Sequence, residues 1–378
     1  MSDDALHWER GTMADLFGDW VIYRNMEPVD ARLPGLRETW AEAGLPRYYV
    51  PRKTTAEYAG VLYRYLQQTQ RLRGAEAPLE RLLFVGDTPM NDGTAARNVG
   101  RYLPVLGFIA AEKMAEPARI DIQGELMLAN RWEALRDFLS WVQASGFVID
   151  EGTALLLDLD KTCLGARGRN DRLIDGARVQ AILRTMRDLL DDELDETAFH
   201  AVYDPLNQPE YHFFTADNQD YLAYITLMIV GRCCAPEELW EGLESGRLAH
   251  FEDFVELCHG RCAAMSVGLR RAHDEVRHGL EVRDPTPFKA FRRAEYLETV
   301  SRMDVLPEGA LPKDVLHSEI VLTAEVVDIA NWMSQQGALV FGLSDKPDEA
   351  AMPDLERVAE GYRPLHHTPM KVYGNRLF

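Results

Sequence analysis

Three segments of the chain share a pattern in which an apolar run ends abruptly in polar residues. They are RLLFVGDTPMND (81–92), TALLLDLDKT (153–162) and GALVFGLSDKP (337–347). Short continuous apolar runs bounded by glycine or polar residues are typical of strands buried on both faces, as in parallel sheets. A further apolar run, LPVLGFIA (103–110), predicts another strand of the same sheet.

An amphipathic segment precedes each of the three runs, at 55–73, 131–145 and 319–336. Helices that alternate with buried strands indicate an α/β fold with a Rossmann-like parallel sheet. In such sheets ligands bind beyond the carboxyl ends of the strands. The polar residues that should face this crevice are Asp87, Asp92, Asp158, Asp160, Thr162, Ser344 and Lys346.

The pattern changes after Thr162, where strand-like runs disappear until about residue 318. Helical periodicity dominates instead, in the stretches 173–200, 219–230, 236–245 and 250–279. We therefore expect an α/β core formed by 1–162 and 319–378. A large all-helical domain, 163–318, should be inserted after the strand that ends at Asp158 and lie over the crevice.

Composition and charge narrow the classes of partner. The 378 residues are 46% hydrophobic and 27% charged, which is typical of a globular protein, and the formal net charge is -20. This acidity disfavours nucleic acid and anionic membranes, which bind through lysine and arginine. The N-terminus MSDDALHWER lacks the features of a signal peptide, and the longest apolar run, YLAYITLMIV, is too short to cross a bilayer. We expect a cytoplasmic protein.

Cysteine and histidine spacing gives no clear metal motif. Five cysteines without a repeated C-x-x-C spacing argue against a disulfide framework. Cys258, His259 and Cys262 lie close in sequence, but buried thiols on a core stripe are commoner than metal ligands. The adjacent His366 and His367 should point apart on a strand, which argues against a metal pair.

The three strand ends together resemble the haloacid dehalogenase superfamily, whose members are mostly phosphatases and phosphotransferases. The matching residues are Asp158, Asp160 and Thr162 in the pattern D-x-D-x-T, Gly86-Asp87 with Asn91-Asp92, and Ser344. The resemblance covers the core segments. The helical segment resembles the cap of that superfamily by its position and composition alone.

The resemblance implies specific roles at the nucleophile strand. Asp158 would attack phosphorus, and Asp160 would protonate the leaving oxygen and then activate water. Thr162 would hold the loop, and Ser344 would bind the phosphoryl group. The resemblance also implies a Mg²⁺ site, whose residues would be Asp158, Asp160, Asp87 and Asp92.

The order of the motifs departs from that superfamily, because the acidic strand at 82–92 precedes the nucleophile strand at 155–162. The preceding stretch resembles the superfamily's lysine motif, with Lys53 as the phosphate-binding lysine. The core would then be circularly permuted, which is tolerated when termini lie close together. Lys346 and Lys371 are alternatives for this lysine.

The resulting hypothesis is a magnesium-dependent phosphatase that hydrolyses a small phosphorylated metabolite through an aspartyl-phosphate. A phosphotransferase or mutase with the same aspartate is the nearest alternative, and a catalytically silent binding protein on the same fold is another. We expect no nucleic acid or membrane partner. A homodimer in which Asp87 completes the partner's site is the alternative to a permuted monomer.

Overall fold

The computed structural model describes residues 9–190 and 194–378. The chain forms two compact units. The first, the α/β unit, comprises the described residues up to Gly176 together with Thr299–Phe378, and the second, the helical unit, is Ala177–Glu298. The sequence prediction about a signal peptide rests largely on residues 1–8, which lie outside the described residues.

The strands belong to the α/β unit. In chain order they are β1 (Arg10–Gly11), β2 (Val21–Ile22), β3 (Arg81–Gly86), β4 (Val105–Ala110), β5 (Ile120–Gln123), β6 (Leu126–Ala129), β7 (Thr153–Asp158), β8 (Leu322–Thr323), β9 (Leu339–Leu343) and β10 (Met370–Tyr373).

The helices are divided between the units. Those of the α/β unit are α1 (Ala14–Phe17), α2 (Leu36–Thr39), α3 (Ala56–Leu72), α4 (Thr94–Val99), α5 (Leu135–Ala144), then α14 (Pro312–Ser318), α15 (Ala324–Gln335) and α16 (Leu355–Ala359). Those that form or enter the helical unit are α6 (Arg172–Leu189), α7 (Glu196–Leu206), α8 (His212–Thr215), α9 (Gln219–Val230), α10 (Pro236–Glu244), α11 (Phe251–His259), α12 (Val267–Glu281) and α13 (Lys289–Val300).

Most strands of the α/β unit form one sheet. Among the described residues it has seven strands in the order β2-β9-β7-β3-β4-β6-β5, and every neighbouring pair is parallel except β5 with β6. A smaller sheet has the order β1-β10-β8. The predicted α/β class with a mostly parallel, Rossmann-like sheet is confirmed, and so is the predicted strand over 103–110.

The central strands β3, β7 and β9 are buried on both faces, as their apolar runs predicted. Alternate side chains enter separate cores, so that Leu83 and Val85 pack in one core and Leu82 and Phe84 in the other. Helices α1, α5 and α15 cover the first face, and α3 and α4 cover the second.

Helix α3 agrees with the predicted segment 55–73. Its N-cap is Thr55, whose side-chain oxygen accepts a hydrogen bond from the backbone N–H of Tyr58. Helix α15 begins later than predicted, because Leu322–Thr323 pairs with β10 as a strand instead of joining the helix.

The helical unit has its own core, built from residues of α6, α7, α9, α11, α12 and α13. It is shorter than the expected domain 163–318, because the flanking segments pack in the α/β unit. Cys163, Leu164 and Ile174 lie in the core of the α/β unit, as does Met303. Within the described residues, no helix is long and apolar enough to span a membrane.

Candidate functional site

Three aspartates meet at the carboxyl ends of β3 and β7. Asp158 ends β7, Asp87 directly follows β3, and Asp92 lies in the π-helical turn Pro89–Gly93. One carboxylate oxygen from each lies within 4.8 Å of the other two, and all three side chains are buried. The pairing of β3 with β7 brings the acids together, and the expectation that Asp87 approaches Asp158 is confirmed.

The turn after β3 is built around Asp92. Its Oδ2 accepts hydrogen bonds from the backbone N–H of Asp87 at 3.0 Å and of Thr88 at 2.8 Å, and from the Thr88 hydroxyl at 3.0 Å. A Cβ added at Gly86 would lie 2.5 Å from Cβ and Cγ of Asp92. Glycine therefore lets the Asp92 side chain fold back over the strand end.

Lys53 links two of these acids. Its Nζ lies 2.5 Å from Asp158 Oδ1 and 2.6 Å from Asp92 Oδ1, and only 3% of the side chain is exposed. Burial alone would lower the pKa of Lys53, but the charges of Asp158 and Asp92 outweigh it and raise this pKa well above its ordinary value. Lys53 comes from the loop before α3, as the sequence predicted.

The carboxylate of Asp158 has a second anchor. The hydroxyl of Thr162 donates to Asp158 Oδ2 at 3.0 Å. Burial raises the pKa of Asp158 well above its ordinary value, and the nearby acids Asp92 and Asp87 add to this rise while Lys53 opposes it. The contact of Lys53 with Oδ1 and that of Thr162 with Oδ2 together fix the orientation of the Asp158 carboxylate.

The other two acids have opposite pKa shifts. Burial and the charge of Asp92 raise the pKa of Asp87 to about 7, although Arg167 contacts Asp87 Oδ2 through its Nε. Burial opposes ionisation of Asp92 as well, but Lys53 and the hydrogen bonds to its carboxylate bring its pKa down to about 2. Such separation of pKa values within one cluster is typical of functional sites.

Asp160 and Ser344 interact with Lys346, beside the acid cluster. Lys346 Nζ lies 3.5 Å from Asp160 Oδ2, and the backbone N–H of Lys346 donates to the Ser344 hydroxyl oxygen at 3.0 Å. Asp160 Oδ1 is buried and has no hydrogen-bond partner among the described residues. The side chain of Asp160 is not a member of the three-acid cluster.

The structure distinguishes among the three lysines that the sequence left as candidates for the phosphate-binding residue. Lys53 contacts Asp158, and Lys346 contacts Asp160. Lys371 lies in a different buried ion pair, where its Nζ is 2.8 Å from Glu319 Oε2 and 2.7 Å from the Leu306 carbonyl oxygen. Its contacts are therefore not with the acid cluster.

Arg167 was not found from the sequence. It lies in the segment after β7, eighty positions along the chain from its partner Asp87. Nothing in the sequence around Arg167 forms a motif, so only the pairing of β3 with β7 reveals the contact.

The expectation that His366 and His367 point apart on a strand is wrong. Both lie in the 3₁₀ turn Leu365–His367 and contact the same oxygen, Asp19 Oδ1, at 3.2 and 2.7 Å. A 3₁₀ turn brings successive side chains closer together than a strand does. His366 also contacts the hydroxyl of the buried Tyr23 at 3.1 Å.

The acid cluster has the chemistry of a hard-cation site. Mg²⁺ prefers oxygen ligands and one or two protein carboxylates. The cluster supplies three carboxylates against two cationic side chains, Lys53 and Arg167, and so keeps an excess of negative charge when all are ionised. Asp160 Oδ1, which has no hydrogen-bond partner within the described part of the chain, is a further oxygen near Asp158 in sequence. The residues fit a bound magnesium ion.

No family model matches this chain, and searches of the curated proteins and of the solved structures found no similar protein. The geometry of the site therefore carries the functional argument.

Proposed function

We propose that this protein is a magnesium-dependent phosphatase of the haloacid dehalogenase type, with a circularly permuted core. One observation carries the proposal: the carboxylate of Asp158 contacts both Lys53 and Thr162 while lying within 4.8 Å of Asp87 and Asp92. A buried carboxylate held between a cation, a hydroxyl and two further acids at a strand end suits a nucleophile in phosphoryl transfer.

In this proposal Asp158 attacks the phosphorus of a small phosphorylated metabolite and becomes an aspartyl-phosphate, as the substrate alcohol leaves. Lys53 neutralises charge on the transferring group, since phosphoryl transfer depends chiefly on positioning and electrostatic stabilisation. Magnesium, held by Asp158, Asp87 and Asp92, would supply the remaining positive charge. Thr162 keeps the attacking carboxylate in one orientation.

Asp160 moves the proton in both halves of the reaction. It donates a proton to the leaving oxygen, then removes one from the water that hydrolyses the aspartyl-phosphate. The buried Asp160 Oδ1 has no hydrogen-bond partner among the described residues, so this atom is the one available to carry the proton. Lys346 holds the other oxygen.

Ser344 and the helical unit complete the proposal. Ser344 lies at the end of β9, the neighbour of β7 in the sheet, and its hydroxyl would contact the phosphoryl group. The helical unit, Ala177–Glu298, follows the nucleophile strand in the chain and corresponds to a cap by that position alone.

The decisive experiment measures phosphate release from a generic aryl phosphate with and without magnesium. We expect turnover that requires magnesium and is abolished in Asp158→Asn, and no trapping of that variant by beryllium fluoride. Asp121→Asn is the matched control, since Asp121 is an exposed acid on the edge strand β5, and it should keep wild-type turnover. Wild-type activity in Asp158→Asn would refute the covalent mechanism.

Asp160→Asn separates proton transfer from binding. We expect kcat to fall by about 10²–10⁴-fold, because general acid–base catalysis contributes this much, while KM stays near the wild-type value. Steady-state kinetics on the aryl phosphate measure both parameters. A rise in KM at unchanged kcat would show that Asp160 binds the substrate instead.

A further inference from the structure

A second group of metal-ligating side chains lies within the helical unit. His259 ends α11, Cys262 lies in the 3₁₀ turn that follows, and His273 lies on α12. His259 Nδ1 is 3.2 Å from His273 Nε2 and 3.4 Å from Cys262 Sγ. One ligand atom from each residue lies within 4.8 Å of the other two.

We propose that His259, Cys262 and His273 bind a zinc-like divalent ion. With metal–nitrogen distances of about 2.0–2.1 Å and a metal–sulfur distance of about 2.3 Å, tetrahedral coordination places two nitrogens about 3.3 Å apart and a nitrogen and a sulfur about 3.6 Å apart. The two measured distances, 3.2 and 3.4 Å, are close to these values. Imidazole and thiolate ligands also favour zinc over magnesium.

The surroundings of His273 orient it as a ligand. His273 is buried, and its Nδ1 lies 2.7 Å from the hydroxyl of the buried Tyr224. The Tyr224 hydroxyl oxygen can accept the Nδ1–H of His273. This tautomer leaves the Nε2 lone pair facing His259 and Cys262. Zinc-binding histidines commonly have such a partner on the second nitrogen.

Arg277 competes with the metal for His259. Its Nη1 lies 2.8 Å from His259 Nε2 and 3.2 Å from His259 Nδ1, the atom that would bind the metal, so the positive charge of Arg277 opposes a cation at this position. Metal binding requires His259 to carry its ring proton on Nε2, which frees the Nδ1 lone pair, and requires Cys262 to release its thiol proton to solvent. Arg277 has alternative partners, since Glu256 and Glu281 lie 3.7 and 3.9 Å from its Nε.

The test is a titration with cobalt(II), a spectroscopic substitute for zinc. The full-length protein carries Asp87→Asn and Asp158→Asn, so that the acid cluster does not bind the ion. We expect one equivalent to bind and to produce a thiolate-to-cobalt charge-transfer band in the near ultraviolet. Absence of the band would refute the proposal, and this readout is independent of phosphatase activity.

Two cysteine variants in the same background test the ligand assignment. Cys262→Ser should abolish the charge-transfer band. Cys234→Ser should retain it, because the Cys234 thiol contacts Glu238 and the Ala235 carbonyl instead of the cluster. A band that survives in Cys262→Ser would overturn the assignment. Protection of Cys262 from alkylation by added zinc, mapped by mass spectrometry without that variant, gives the same answer if the serine variant does not fold.

Arg277→Gln distinguishes a metal site from a simple chain of hydrogen bonds. Removing the competing cation should tighten cobalt binding by about tenfold, an effect equivalent to about 1.4 kcal/mol. Arg271→Gln is the matched control, because Arg271 is an exposed arginine on the same helix, and this variant should bind cobalt as tightly as the parent. Unchanged or weaker binding in Arg277→Gln would contradict the proposed competition.

Discussion

Two buried lysines illustrate how the same residue type does different work in one unit. Lys53 and Lys371 are each almost completely buried beside carboxylates. Lys53 joins Asp158 to Asp92 at the carboxyl ends of the central strands, whereas Lys371 joins Glu319 to the Leu306 carbonyl oxygen. The contacts assign Lys53 to the candidate site and give Lys371 a structural role.

Methionine substitutions test this division. Lys53→Met and Lys371→Met each remove the cation of a buried ion pair, so each should lower the free energy of unfolding by about 3–5 kcal/mol in denaturant titrations. Only Lys53→Met should abolish phosphate release. Added magnesium should restore part of the stability of Lys53→Met, because the ion replaces the lost positive charge, and should restore none in Lys371→Met beyond the wild-type effect.

The outcome can go against the assignment in a clear way. If Lys371→Met lost turnover while Lys53→Met kept it, the phosphate-binding role would belong to Lys371, and the contacts of Lys53 would be structural.

His366 makes the stability of the protein depend on pH. Burial lowers its pKa to about 4, although the neighbouring Asp19 opposes the shift. Between pH 6.5 and about 4 the unfolded chain therefore binds a proton that the folded chain does not, and this group's stabilisation is complete above pH 6.5 and lost as the pH falls. The loss should amount to about 3 kcal/mol at about 1.4 kcal/mol per pKa unit.

Denaturant unfolding of wild type and His366→Gln at pH 7 and pH 4.5 measures this effect, because the difference between the two proteins cancels other titrating groups. The wild type should lose more stability than the variant on acidification. Equal losses would mean that His366 in the folded protein is already protonated at pH 4.5.

The elements show why much of the fold was predictable from the sequence. Each of β3, β7 and β9 is buried on both faces, so the pattern of its apolar run directly reflects its surroundings. Polar residues follow each run because the strand ends there, at the carboxyl end of the sheet. The acid cluster could therefore be predicted from positions along the chain, whereas Lys53 was proposed from the resemblance of its segment to a lysine motif, with Lys346 and Lys371 left as alternatives.

Other features depend on contacts that no local pattern encodes. Arg167 meets Asp87 only because β3 and β7 are neighbours. The segment Leu322–Thr323 is a strand because it pairs with β10, although its sequence continues the helical pattern. His366 and His367 converge because a 3₁₀ turn replaces the expected strand.

Gly86, the last residue of β3, determines the position of Asp92 in the acid cluster. In Gly86→Ala the new Cβ would displace Asp92, whose Cβ and Cγ would lie 2.5 Å from it. We expect weaker magnesium binding by calorimetry and a large loss of turnover. Gly176→Ala is the matched control: apart from the neighbouring backbone of α6 itself, no atom of the described residues lies within 4 Å of its added Cβ, so it should stabilise the protein by about 0.5–1 kcal/mol and leave magnesium affinity unchanged.

The contrast between the two glycines makes the prediction strict. Unchanged magnesium affinity in Gly86→Ala would show that the turn after β3 can shift without moving the acids, and the fit of the cluster to the ion would lose its support.

At the scale of the whole molecule, the two units have separate hydrophobic cores. We expect them to unfold in separate transitions, because cooperativity follows a shared core. Magnesium at a hundredfold excess over its Kd should stabilise the α/β unit by about 2.7 kcal/mol, while zinc should stabilise the helical unit. Hydrogen exchange followed by mass spectrometry during denaturant unfolding assigns each transition to its residues.

A single transition, or a magnesium effect confined to peptides of the helical unit, would contradict this division. The sequence predicted a helical insertion over 163–318, and the segments 163–176 and 299–318 of that range belong to the α/β unit, where side chains such as Leu164 and Met303 are buried.

The register of the central strands limits which insertions and deletions the protein can accept during evolution. Val85 pairs with Leu157, and Asp158 pairs with Leu343, so the three strands end nearly level with one another. One residue added to or removed from any of them would turn its terminal polar side chain to the opposite face. Descendants of this gene should therefore tolerate insertions and deletions in the exposed turn at residues 145–146, after α5, and should preserve the lengths of β3, β7 and β9 even after most of their residues have been replaced.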